Sequence, residues 1–294
     1  MIRSQPTAAM RFFKYHALGN DYLILANSLF GEEGVSASLP GEQIRIICDR
    51  NRGPGSDGLL IGEHADEPSG FGLRIFNPDG SEAEKSGNGL RIFARSLWDR
   101  RLVDESPFRV HTLGGTVEAK MIEGGGRVEV GMGRVSFNSR EIPVTGKERE
   151  VIRESLKLDG EELEYCAATI GNPHCVVLRQ ASPEQAKAWG GEIETHPLFP
   201  KRVNVQFLEV LDRNSISIQI WERGAGYTQA SGSSSCAAAS VARKLGLCDA
   251  DIRVKMPGGT LSVSVDDEYR VTMRGPVTRV GEFKTDPEMF GEGG

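Results

Sequence analysis

The sequence predicts a mixed α/β (α+β) fold made of two copies of one strand-and-helix unit, and three observations predict it. First, four landmarks recur in the same order. Aligning Ser86 with Ser231 brings Phe76 onto Trp221, an offset of 145 residues in both cases, and Leu113-Gly114-Gly115-Thr116 onto Pro257-Gly258-Gly259-Thr260, an offset of 144. Leu18-Gly19-Asn20 meets Ile170-Gly171-Asn172 at 152. Recurrence at near-constant spacing marks a duplicated unit. Second, short runs of strand-type residues outnumber segments with helical spacing throughout. Third, 294 residues suffice for two domains, each with its own core. The domains expected are residues 10–132, joined by a returning strand at 276–290, and residues 133–275. Two copies in one chain ordinarily face each other across a pseudo-twofold axis, so a pocket at their junction would receive one helix N-terminus from each.

The elements follow in order. Residues 1–9 read as a loose tail. Phe12–Ala26 reads as two strands joined at Leu18-Gly19-Asn20-Asp21, where Gly and Asn accept positive φ. A loop at 31–40 leads to a short helix, Gln43–Asp49, with Ile44, Ile47 and Cys48 on one side. Asn51–Gly58 is too glycine-rich for a regular element and reads as a shaped loop. Strands at Leu59–Gly62 and Gly72–Asn77 flank a polar hairpin at 63–71. The helix Gly89–Trp98 sets Leu90, Phe93, Ala94 and Leu97 at helical spacing. A hairpin at 109–120 and strands at 128–130 and 134–137 close the first copy. The second copy reads as a helix-like segment at Glu148–Leu156, strands at 164–170 and 175–178, and a helix at Pro183–Trp189. Strands at 203–209 and 215–221 precede the helix Ala237–Leu245, which stops at Gly246. A hairpin at 252–265 and a strand at 269–274 end it.

Composition narrows the function. A net charge of −6 and a pI near 5.6 argue against a nucleic-acid surface. A small-molecule partner fits better. Five scattered cysteines without C-x-x-C spacing indicate neither a disulfide framework nor a zinc site. With no signal-peptide pattern and no long apolar run, the expected location is the cytoplasm, away from membranes.

The repeated turn carries the chemistry. A helix N-terminus offers unpaired N–H groups and the positive end of the dipole, which together bind carboxylate or phosphate. Ser86-Gly87-Asn88-Gly89 and Ser231-Gly232-Ser233-Ser234 each place Gly where a ligand can approach the backbone. Either serine alone could be a simple N-cap. Repetition behind a long polar loop points further, to an amino acid's α-carboxylate held between positions 86 and 231 on opposite faces of its α-carbon.

With these motifs in place, the chain resembles the diaminopimelate epimerase family from Phe12 to Phe283. The matching stretches are FFKYHALGND (Phe12–Asp21), CDRNRGPGSDGLL (Cys48–Leu60), FNPDGSEAEKSGNG (Phe76–Gly89), IGNPH (Ile170–His174), EIETHPLFPKRVNVQF (Glu192–Phe207), WERGAG (Trp221–Gly226) and MPGGTL (Met256–Leu261). The resemblance implies two similar domains, each a sheet wrapped around a central helix, and commonly a homodimer. It implies interconversion of L,L- and meso-diaminopimelate, for lysine and peptidoglycan precursors, with neither metal nor pyridoxal phosphate. Asn20, Asn77, Asn172 and Asn204 resemble the family's substrate-binding asparagines, with Glu222 and Arg223 reading the distal ammonium and carboxylate. Gly87-Asn88 and Gly232-Ser233 resemble its two α-carboxylate cradles. Arg223 suits bidentate capture of a carboxylate and Glu222 an ammonium, although each could instead be structural. His174 could orient neighbours or act chemically.

The resemblance departs where the family keeps its acid and base, two cysteines, because here the catalytic positions hold Ser86 and Ser231. A thiol ionises near pH 8.5 or below, whereas an alcohol needs an adjacent general base, for which His174 and Glu222 are the candidates. Tyr227 replaces a usual glutamate, and Ser234 and Ser235 replace small residues. Three activities are compatible with this pattern: hydroxyl-based epimerisation, amino-acid binding without turnover, or a related racemase or dehydratase reaction.

Overall fold

The structure, a computed structural model, describes residues 9–32, 38–65, 70–158 and 160–291. Most of the expected N-terminal tail, the middle of the 31–40 loop and the tip of the 63–71 hairpin lie outside the described residues. The chain divides into two compact units, one running up to Glu129 and resuming at Pro276, the other Val130–Gly275.

Unit 1 begins with β1 (Arg11–Ala17) and β2 (Asn20–Leu25), an antiparallel pair turning at Leu18 and Gly19, both at positive φ (56° and 93°). The left-handed residues are therefore Leu18 and Gly19, and Asn20 already belongs to β2. α1 (Gly41–Cys48) crosses to β3 (Leu59–His64), which runs parallel to β2. β4 (Gly70–Phe76) returns antiparallel and ends in a hairpin with the two-residue β5 (Glu82–Ala83). α2 (Gly87–Asp99) crosses to β6 (Phe108–Thr112), parallel to β4, and β7 (Gly115–Ile122) pairs antiparallel with β6. β8 (Arg127–Arg134) carries the chain onward.

Unit 2 repeats this plan. After β9 (Glu154–Leu158), β10 (Glu161–Thr169) and β11 (Pro173–Val177) form an antiparallel pair, and α3 (Pro183–Glu194) crosses to β12 (Asn204–Asp212), parallel to β11. β13 (Ser215–Glu222) returns antiparallel and turns into β14 (Gly226–Thr228). α4 (Gly232–Lys244) crosses to β15 (Asp251–Met256), parallel to β13, and β16 (Gly259–Val265) and β17 (Arg270–Pro276) complete an antiparallel meander. Strand for strand, parallel and antiparallel pairings occur in the same sequence in both units, which establishes the duplication read from the landmarks. The returning strand, β18 (Thr278–Lys284), pairs with β1 of unit 1.

Each sheet has a helix on either side. In unit 1, Ile44, Ile47 and Cys48 of α1 pack on Phe12, Leu23, Leu25, Leu59 and Ile61. The other face receives α2, whose residues from Gly87 to Leu97 are buried almost throughout. α2 is thus enclosed on nearly all sides, its polar Asn88, Arg91 and Ser96 buried along with its apolar residues. α4 does the same in unit 2 with small residues, Cys236 to Ala239, Val241 and Ala242. At its end, Gly246 at φ 69° donates to Arg243 O and Leu247 donates to Ala242 O. That double bond pattern is the Schellman stop, with glycine at the left-handed position.

One expected element is absent. Glu148–Leu156 is not a helix, because its backbone bonds go sideways: Val151 N–H donates to Phe137 O, Val151 O accepts from Ala167 N–H, and Ser155 and Leu156 pair with β10. Arg153 at φ 53° breaks any helical run. The strand expected at 134–137 is likewise reduced, beyond Arg134, to an isolated bridge between Ser136 and Thr169. Among the described residues no helix is long and apolar enough to cross a membrane.

Candidate active site

In unit 1 the N-terminus of α2 is capped by Ser86, whose Oγ accepts the N–H of Gly89 at 3.0 Å. Asn20 reaches this end from β2: its Oδ1 accepts from Asn88 Nδ2 at 2.9 Å, and its own Nδ2 donates to Asp57 at 2.9 Å. Beneath them lies Arg91, wholly buried, donating to Gly87 O at 3.2 Å and Asn88 Oδ1 at 2.9 Å. Ser86, Gly87, Asn88 and Asn20 are therefore held together. Asn77 is not tied into that group by its hydrogen bond: it sits half-buried after β4 and donates to Ser81 Oγ at 3.0 Å within its own turn.

A charged cluster fixes the loop that supports Asn20. Arg50 bridges Asp21 and Asp57 at 2.7 Å each, and Lys14 pairs with Asp21 at 2.9 Å while donating to Gly55 O at 2.6 Å. Burial pushes the Asp21 carboxyl up, but hydrogen bonds from Arg50 and Lys14 prevail and hold it at about 2. Burial and the neighbouring Asp21 push Asp57 the other way, above the usual carboxylate range.

Unit 2 has the matching arrangement. Ser231 caps α4, its Oγ accepting from Ser234 N–H at 3.4 Å, and Asn172 donates to Ser233 Oγ at 3.4 Å. Turn asparagine to the second helical residue is the same link in both units. Asn204 then ties two turns together, donating to Pro173 O at 2.9 Å and accepting from Arg223 N–H at 3.0 Å. Arg223 is exposed and its guanidinium donates to Lys201 O at 3.2 Å; Glu222 closes β13 against Gly226, half-buried. Glu194, 3% exposed, secures this turn by accepting from Trp221 Nε1 at 2.7 Å and Gly224 N–H at 2.9 Å and by pairing with Arg202 at 2.9 Å.

His174 is completely buried, its Nε2 set 2.9 Å from Asn172 Oδ1. Burial lowers the imidazole to about 3, with Gln206 opposing and the Arg223 charge assisting. It orients Asn172, and among the described residues no hydrogen bond joins it to Ser231. Ser234 and Ser235, which replace small residues, face the core: Ser234 Oγ accepts from Gln206 at 3.0 Å, and Ser235 Oγ donates to Ser231 O at 2.8 Å. Tyr227 donates to Gln219 at 2.7 Å, with Lys187 over its ring.

Four residues escaped the sequence. Arg91 lay within helical spacing, and Glu194 within a matched stretch; their burial was the missing signal. Asp57 meets Asn20 across 37 positions of chain, and Tyr22 meets Ser86 across 64. The Tyr22 phenol lies 3.1 Å from Ser86 Oγ.

Known proteins bear on this geometry. The family model described as diaminopimelate epimerase matches residues 12–138 and 166–280. The chain is 55% identical over 282 residues to diaminopimelate epimerase 2 of Nostoc sp., covering 96% of this chain and 97% of that one. It is 43% identical over 277 residues to diaminopimelate epimerase of Stutzerimonas stutzeri, covering 93% and 98%. Among solved structures, a hydroxyproline epimerase from Agrobacterium vitis with bound trans-4-hydroxy-L-proline superposes with TM-score 0.71 at 15% identity, over 99% of this chain and 96% of its own. A phenazine biosynthesis protein from Bacillus anthracis gives TM-score 0.68 at 15% identity, over 95% and 100%, so the architecture is shared well beyond detectable sequence similarity. A full-length match in sequence, with the duplicated fold those motifs imply, assigns this chain to the diaminopimelate epimerase family.

Proposed function

We propose that the chain interconverts L,L- and meso-diaminopimelate by two-base proton transfer at one α-carbon. The observation that carries this is the repeated helix end: in each unit a serine caps a buried helix, glycine follows it, and a turn asparagine bonds the second helical residue. Backbone N–H groups at Gly87-Asn88 and Gly232-Ser233 suit the α-carboxylate, and their dipoles stabilise the charge that builds up as the α-proton leaves. Ser86 and Ser231 are then the acid and base. Asn20, Asn77, Asn172 and Asn204 bind substrate, while Glu222 and Arg223 recognise the distal ammonium and carboxylate.

A second reading, binding without turnover, is favoured by one observation. His174 is buried and its imidazole is engaged with Asn172, with no hydrogen bond to Ser231 that would make it that hydroxyl's base. Incubation with each diaminopimelate stereoisomer in deuterated water, followed by NMR at the α-position, distinguishes the two. Exchange accompanied by L,L–meso interconversion supports the epimerase. Saturable binding by calorimetry without exchange supports the binding protein, and neither result overturns both. The same proposal includes a homodimer, testable by light scattering, and a cytoplasmic setting, which suits five buried cysteines, none of them in a disulfide.

A further inference from the structure

Alternation along β2 sends Asn20 and Tyr22 to one face and Asp21 to the other. Asn20 meets Asn88, and Tyr22, 7% exposed, meets Ser86 one step further along the same helix end. Room for the phenol ring is built into the glycine-rich loop. A Cβ on Gly58 would come within 2.5 Å of Tyr22 Cε1 and 2.7 Å of Phe76 O, so only glycine lets the ring lie there. Because Ser86 Oγ already accepts the Gly89 N–H, its own proton and its second lone pair are what remain to meet the Tyr22 oxygen. In unit 2 the counterpart of Tyr22, two residues beyond the turn asparagine, is His174, and it bonds Asn172.

We propose that Tyr22 is a catalytic residue, the proton carrier behind Ser86. This rests on the epimerase reading above. When substrate is deprotonated on this face, its Cα–H bond breaks and the proton passes to Ser86 Oγ. The serine's original proton passes in the same step to the Tyr22 phenolate, the electron pair stays on the α-carbon, and the opposite face returns a proton to that carbon. In the other direction Ser86 gives its proton to the α-carbanion and takes one from the Tyr22 phenol. Serine thereby never carries a full alkoxide charge, which a hydroxyl without a base beside it must do.

The test compares Tyr22→Phe in two backgrounds, the unaltered chain and Ser86→Cys, by α-hydrogen exchange of diaminopimelate in deuterated water. With Ser86 present, loss of the phenol lowers exchange by about a hundredfold or more. In Ser86→Cys that loss shrinks at least tenfold, because a thiol near pKa ~8.5 carries its own proton. An equal loss in both backgrounds makes Tyr22 merely structural, and no loss with Ser86 present shows it idle; either overturns the inference while leaving the epimerase reading intact. Binding without exchange in the unaltered chain overturns both. Should Tyr22→Phe fail to fold, the pH profile of exchange decides. Exchange whose rise with pH moves to lower pH when fluorotyrosine replaces tyrosine at position 22 supports the phenol, and a rise left in place, or exchange independent of pH, contradicts it.

Discussion

Acidification from pH 7 to pH 5 destabilises the protein through His174. The imidazole is fully enclosed in unit 2, and burial lowers it from the ordinary 6.5 to about 3. Between those values an unfolded chain binds a proton that the folded chain refuses. Stability from this group is therefore complete above about pH 6.5 and falls by about 1.4 kcal/mol for each pH unit below it, until the folded imidazole also protonates. Between pH 7 and pH 5 the loss is about 2 kcal/mol. Urea titrations at pH 7, 6 and 5, followed by tryptophan fluorescence, measure it in the unaltered chain and in His174→Gln. Asp21, held at about 2, loses its contribution only further down, and Asp57, pushed up, works in the opposite sense. Subtracting the variant isolates the imidazole from both. A flat response in the unaltered chain, or an equal loss in His174→Gln, refutes the reasoning.

Three further outcomes follow from packing and chemistry. Gly190→Ala drives a Cβ to 2.6 Å from Trp221 Cγ, overpacking α3 against β13, and lowers stability by about 1–3 kcal/mol in thermal denaturation. Glu194→Gln leaves one acceptor oxygen where Trp221, Gly224 and Arg202 use two, which loosens the turn bearing Arg223; steady-state assays should show KM for diaminopimelate raised more than kcat is lowered. Replacing both capping serines, Ser86→Cys with Ser231→Cys, raises turnover by at least about a hundredfold, since thiols ionise far more readily than alcohols. Unchanged turnover there would mean that the serines are not the proton-transferring groups.

What was legible in the sequence was local or repeated. The duplication, the two capped helix starts, the turn asparagines and the stop at Gly246 each carry a signal within a few residues. The turn before Asn20 shows the limit of such signals: asparagine suits positive φ, yet Leu18 takes that conformation and Asn20 enters the strand, where it can reach Asn88. Glu148–Leu156 shows another, since its spacing suits a helix but Phe137, Ala167 and β10 claim its backbone groups. Partners far apart in the chain were invisible for the same reason. Nothing near Ser86 announces Tyr22, which arrives only because β2 lies against the end of α2. His174 sits in a recognisable turn, but its complete burial and its engagement with Asn172 are properties of the folded sheet.

The measurement that most directly tests the central claim is α-hydrogen exchange by L,L- and meso-diaminopimelate in deuterated water with Ser86→Ala and Ser231→Ala taken singly. If the two capping hydroxyls are acid and base to one carbon, each variant alone abolishes L,L–meso interconversion while calorimetry still registers bound substrate. Interconversion that survives either substitution contradicts the account.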